Sequence, residues 1–332
     1  AFIRKMAIPL LILSFVCLIL VFTPLGISGG GARRWIRIWP STFQPSELVK
    51  LCMVIFMAWY ISRSDFDREK FKCFIIPISV MGVFQAVFIK QPDFGALMSL
   101  AVLTLSMLFL SGVKLRYIFS LGVLALPIIG KLISEPYRWK RVVAFLDPWK
   151  EAQGSGFQLV QSFIALGSGG LTGVGLGEGK QKLSFLPEVH TDFIFSLIGE
   201  ELGFAGAAFV VLLFMLLFFM GIAIASKAQD KFAYYMTFGI STMVAIQAVI
   251  NFAVVTGMVP TKGLPLPFIS YGGSSLMVNM TAIGLLLNVS KMTPSGAGQK
   301  YGQPDVQERE PLPDSGRLAP VSVRHKRHMG YG

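Results

Sequence analysis

The residues best suited to chemistry cluster in a few short stretches of polar sequence set between apolar ones. The clearest is Leu186-Pro187-Glu188-Val189-His190-Thr191-Asp192, which runs into Phe193-Ile194-Phe195 and then Gly199-Glu200-Glu201-Leu202-Gly203. Asp192 stands where polar sequence gives way to apolar sequence. A carboxylate there loses part of its hydration and becomes a better base. Acidic side chains at membrane depth are functional candidates by default, and Glu188 and His190 lie close enough in sequence to share a site. The competing reading makes Thr191 or Asp192 the cap of the following helix, with its acidic residues at the positive end of the helix dipole.

Glu47 and Lys50, in Gln44-Pro45-Ser46-Glu47-Leu48-Val49-Lys50, are three residues apart and share one helix face. They can pair and so lower the cost of entering an apolar medium, as a structural ion pair or as part of a site, with Ser46 a candidate cap. In Lys90-Gln91-Pro92-Asp93-Phe94-Gly95 a tight turn with Asp93 capping the next helix explains the pattern. Glu135-Pro136-Tyr137-Arg138-Trp139-Lys140-Arg141 alternates cations with aromatics. Arg138 and Arg141 could fork onto a diphosphate, or the stretch could be an interfacial amphipathic helix. The glycines from Gly167 to Gly179 lack the lysine-serine ending of a phosphate loop, which argues against a nucleotide site, although close approach of backbone to a ligand remains open. Irregular sequence from Thr256 to Ser275, with Lys262 and Ser270, must line a cavity or be packed in protein if it lies at membrane depth.

These stretches need elements to hold them, and composition says which kind. Of 332 residues, 53% are hydrophobic and 14% charged, with a mean hydropathy of +0.63. That is too little charge to cover a water-soluble surface. Hydropathy predicts an all-α polytopic membrane protein with about eight spans, near 6–24, 47–62, 71–89, 94–113, 117–134, 204–225, 232–255 and 274–290. A large extracytoplasmic loop is expected over 135–203. Residues 1–290 then form the membrane domain, and 291–332, rich in Gly, Pro, Gln and charge, a disordered cytoplasmic tail. Three cysteines and three histidines, two of the latter in the tail, support neither a disulfide framework nor a zinc site. No repeat of the kind found in inverted-repeat transporters is visible.

With the tail placed in the cytoplasm, Arg4/Lys5, Arg63/Arg68/Lys70/Lys72, Lys114/Arg116 and Lys227/Lys231 all fall on the inner side. The outer loops also carry cations, among them Arg33, Arg34, Arg37, Lys90, Arg138, Arg141, Lys150, Lys180 and Lys262. We read these as retained to bind something anionic, within a net charge of +12.

The blocks 33–50, 90–97, 135–148, 155–203 and 256–275 resemble the SEDS (FtsW/RodA/SpoVE) family along nearly the whole membrane region. The Ile198-Gly199-Glu200 run and Thr261-Lys262-Gly263 are more similar to the FtsW branch than to RodA. Members have about ten spans of roughly 20 residues; against that pattern this chain, which starts at Ala1, lacks the first two. The resemblance implies a peptidoglycan glycosyltransferase that polymerises lipid II at the outer face of the bacterial cytoplasmic membrane, at the division septum. It places the family's essential acid on Asp192 and its paired acid and lysine on Glu47 and Lys50. Asp192 would then activate the acceptor hydroxyl, with Lys50, Arg138, Arg141 and Lys262 as candidates to stabilise diphosphate charge, and Glu188, His190, Asp93 and Ser270 completing the substrate site. No tightly bound cofactor is expected, a divalent cation (Mg or Mn) being compatible with the chemistry. Implied partners are the nascent glycan strand, a class B penicillin-binding protein and other division proteins, and membrane lipids, with no nucleic acid. A lipid II flippase and a non-catalytic division scaffold are the alternatives.

Overall fold

The computed structural model describes residues 2–29, 32–38, 41–134, 136–154, 156–180, 191–260 and 263–292. Ten helices occur among them: α1 (Phe2–Leu20), α2 (Pro45–Ile61), α3 (Phe71–Lys90), α4 (Phe94–Leu110), α5 (Leu115–Ile133), α6 (Pro136–Leu146), α7 (Phe157–Gly169), α8 (Ile194–Ser226), α9 (Lys231–Val255) and α10 (Gly273–Met292). Each of the eight apolar stretches falls on a helix. Five helices, α1, α3, α8, α9 and α10, are long and apolar enough to cross a membrane. The tail, from residue 293 onward, lies outside the described residues.

The expectation of an all-α chain needs one correction. Between α1 and α2 lies a small antiparallel sheet, β1 (Gly26–Gly29), β2 (Ala32–Ile38) and β3 (Ser41–Phe43), in the order β1-β2-β3. The reason is local. In β2, Ala32 and Ile36 are buried while Arg37 is exposed, the in-out pattern of a strand with one covered face.

The core gathers around α2 and α9. The α2 helix packs on α1, α4, α9 and α10, and α9 also packs on α4 and α8. Val49, Met53, Val54 and Met57 of α2 meet Ile240, Met243 and Val244 of α9 within one apolar cluster. Small residues let these helices approach closely: a Cβ at Gly239 would come within 2.7 Å of Val54, and one at Gly221 of α8 would overlap Ser241 of α9. On the outside the pattern inverts. Phe204, Phe209, Leu212, Leu216 and Phe219 of α8 are all exposed. Such a continuous apolar surface is unsustainable in water and natural against lipid tails.

The stretch 135–203 is more structured than a loop. It holds α6, α7 and the first part of α8, which breaks at Gly203 (φ 67°, ψ −167°). A break in a helix frees carbonyls on one side and N–H groups on the other. Here the glycine-rich chain after α7 supplies the partners. Val174 and Gly175 donate to the carbonyls of Glu200 and Glu201 at 3.0 and 3.1 Å, while Phe204 and Ala205 donate to those of Gly170 and Leu171 at 2.9 and 3.1 Å. The contact is backbone to backbone, so a Cβ on Gly169, Gly173 or Gly203 would strike main-chain atoms. Within the run, Gly169 and Gly173 are therefore explained by the approach of the chain to itself.

Candidate active site

Asp192 is half-buried and lies two residues before the start of α8. It is not the helix cap, a position held by Phe193 without a side-chain hydrogen bond. The capping explanation for Thr191 and Asp192 thus falls away. Two side chains fix the main chain here instead. Asn251 Nδ2, near the end of α9, donates to the Asp192 carbonyl at 2.8 Å and to the Leu264 carbonyl at 2.8 Å. Ser270 Oγ donates to the Thr191 carbonyl and accepts from Leu266 N at 2.7 Å. The Asp192 carboxylate lies over Gly263, where an added Cβ would sit 2.8 Å from Oδ2. The acid and the segment following α9 are therefore built as one unit, and Gly263 keeps room for the carboxylate.

The same unit reaches α7 and α4. Ser162 Oγ on α7 donates to the Val255 carbonyl at 2.8 Å. Gly257 (φ 70°) lies against the Phe163 ring, and Gly95 of α4 lies against Leu264. Two residues before Gly95, Asp93 is buried (3% exposed) and caps α4 by accepting from Ala96 N at 3.1 Å through Oδ1. Its Oδ2 is buried without a hydrogen-bond partner.

Glu47 and Lys50 form a fully enclosed pair, each 2% exposed, with Lys50 Nζ 2.7 Å from Glu47 Oε1. Gln247 of α9 reaches the other oxygen, Nε2 to Oε2 at 3.4 Å. Ser46 does not cap α2. The cap position is Gln44, Pro45 opens the helix, and the Gln44 N–H donates to Ser274 Oγ at 3.0 Å. Pro at the first helical position removes an N–H that would have lacked a partner.

Other expected contributors are placed less closely. Arg138 and Arg141 lie on α6, their side chains outside the description, while Glu188, His190 and Lys262 lie outside the described residues. Some of the cations expected on the outer side serve the fold itself. Arg33 donates to the carbonyls of Thr23 and Gly26, Arg34 Nη2 donates to the Pro92 carbonyl at 2.7 Å, and Lys150 pairs with Asp147 at 2.7 Å. That pairing holds the exposed Asp147 carboxyl below its ordinary range. Among the described residues, no group of three or more His, Cys, Asp or Glu side chains could hold a metal ion. Asn251 and Gln247 were not singled out in the sequence, although two amides four residues apart inside an apolar span mark one polar face of α9.

Apolar helices facing outward, a fixed acid at the end of one of them and an enclosed ion pair in the core define a multi-pass membrane protein with a polar site. The chain belongs to the cell cycle protein family of FtsW, RodA and SpoVE, whose description it matches over residues 1–294. It is 46% identical over 290 residues to the "probable peptidoglycan glycosyltransferase FtsW" of Geobacter sp. strain M18, covering 86% of this chain and 79% of that one. It is 41% identical over 287 residues to stage V sporulation protein E of Bacillus subtilis, covering 85% and 78%. Among solved structures it is similar to a chain from work on the coordination of polymerization and crosslinking by a peptidoglycan synthase complex, with a TM-score of 0.74, 27% identity and 88% and 83% coverage. It is also similar to the rod shape determining protein RodA of Thermus thermophilus, with a TM-score of 0.63, 27% identity and 87% and 79% coverage.

Proposed function

We infer that this chain is a peptidoglycan glycosyltransferase that joins lipid II units into glycan strands, with Asp192 as its general base. One observation carries the assignment of the base: a half-buried acid beside α8, with its own carbonyl and that of Thr191 held by Asn251 and Ser270 and its carboxylate lying over Gly263. Strand growth requires a sugar hydroxyl to lose its proton as it attacks an anomeric carbon. Asp192 takes that proton, the new glycosidic C–O bond forms, and the bond to the lipid diphosphate breaks with its electron pair leaving on the diphosphate oxygen. A base held in place needs little rearrangement to act.

The departing diphosphate needs positive charge. Arg138, Arg141 and Lys262 are the side chains we assign to it. Lys50 is enclosed and bonded to Glu47, so we give that pair the task of shaping the core beneath the site. We assign the diphosphate charge to the Arg138, Arg141 and Lys262 cations, with a divalent cation (Mg or Mn) compatible with the same chemistry. We further propose eight spans in this chain and an outward-facing site in the bacterial cytoplasmic membrane, at the division septum. The proposed partner is a class B penicillin-binding protein that cross-links the strands.

A lipid II flippase would move the same substrate without joining sugars, and a scaffold would do neither. Purified protein and fluorescent lipid II in vesicles separate the three. The polymerase reading expects long glycan products on a gel. Movement of lipid across the bilayer without polymer would establish the flippase, and neither outcome would leave the scaffold.

A further inference from the structure

We propose that Asn251 is a positioning residue for the reaction, acting through Asp192 without touching substrate; the proposal rests on Asp192 being the base. Asn251 is 1% exposed, on a helix that is otherwise largely apolar at this depth. A buried amide is costly unless its hydrogen bonds are made. Both N–H groups of Nδ2 have partners, the Asp192 carbonyl and the Leu264 carbonyl, each at 2.8 Å. Turning the amide over would set Oδ1 against those two carbonyls, so the orientation is fixed by its neighbours.

The same orientation leaves Oδ1 buried with no partner. An unmet buried oxygen costs stability. Packing alone would be better served by an apolar side chain of similar size, so the residue makes most sense as a fork. What the fork joins is specific. One carbonyl belongs to the acid, while the other is one residue past Gly263, the residue against which the Asp192 carboxylate lies. Asn251 therefore sets the spacing between the carboxylate and its floor. Ser270 ties only the preceding residue, Thr191, to the same segment. Shortening Asn251 would remove the bond it donates to the acid's own carbonyl.

The experiment compares wild type, Asn251→Ala, Asn251→Gln and Asp192→Asn as purified proteins in nanodiscs with labelled lipid II. It reads turnover per folded molecule, KM, the pH profile of turnover and thermal melting. The proposal expects Asn251→Ala to lose about tenfold to a hundredfold in kcat, since displacement of a reacting group by around 1 Å costs on that order. KM should stay within about twofold, and the acid limb of the pH profile should move, because the carboxylate then has a different environment. Asn251→Gln keeps the amide but misplaces it by one methylene, so an intermediate kcat is expected. It is the deciding variant if the alanine form does not fold. A merely structural role predicts fewer folded molecules that each turn over normally with an unmoved profile, and that result overturns the proposal. If Asp192→Asn itself retains wild-type turnover, the base assignment falls and this inference with it. If Asp192→Asn is inactive while both Asn251 variants turn over normally, only the positioning role is lost.

Discussion

Gln247 lies with Nε2 3.4 Å from Glu47 Oε2, on the carboxylate oxygen that Lys50 leaves open. One turn further along the same helix, Asn251 holds the Asp192 carbonyl. The central helix α9 thus presents two amides on one face, the first turned to the enclosed ion pair and the second to the acid.

The ion pair predicts a strongly non-additive response. Lys50→Met leaves Glu47 as an uncompensated buried carboxylate, and Glu47→Leu strands Lys50 in the same way. Each single change should destabilise by about 3–5 kcal/mol, whereas the double variant, with no buried charge, should cost less than either. Thermal melting of the four proteins in one detergent measures this. Equal, additive losses would contradict an enclosed pair.

The broken helix predicts which glycines tolerate a methyl group. Gly173→Ala and Gly203→Ala place a Cβ 2.1 Å from the Glu201 carbonyl oxygen and 2.3 Å from Gly173 N, both at positive φ. Each should open the contact between α8 and the chain after α7, with faster proteolysis between residues 170 and 205. Gly167→Ala on α7 meets nothing within 4 Å, and should gain about 0.5–1 kcal/mol from helix propensity.

Asp93 predicts a graded response. Asp93→Asn keeps a good cap and should be close to neutral, while Asp93→Ala loses the bond to Ala96 N and should cost about 1 kcal/mol. The loss should be near the low end of the capping range, because alanine also removes a buried oxygen that has no partner. Melting curves of the two variants check the order.

Among the described residues, each long apolar stretch read from hydropathy falls on a helix, because a long apolar run declares itself in the sequence without reference to a partner. Asp192, Glu47, Lys50 and Asp93 were legible for a related reason: a charge beside or inside an apolar run stands out. The small sheet was not, since β2 carries its alternation over only seven residues and the long apolar helices on either side dominate the pattern. α7 was hidden in a stretch read by its glycines, although Leu159, Val160 and Ala165 lie on its buried face. The hydrogen bonds of Asn251 and Ser270 could not be read at all. They join residues 59 and 79 positions apart, and only the folded chain brings them together.

The most direct test of the account is the rate of glycan formation from labelled lipid II by wild type and by Asp192→Asn, each normalised to folded protein in the same membrane mimic. Replacing the carboxylate by an amide keeps the size of the side chain and removes the proton acceptor. Wild type should make strands, and the variant should lose at least about a hundredfold in rate, in line with the contribution of a positioned base. Wild-type polymerisation by a folded Asp192→Asn protein would contradict it.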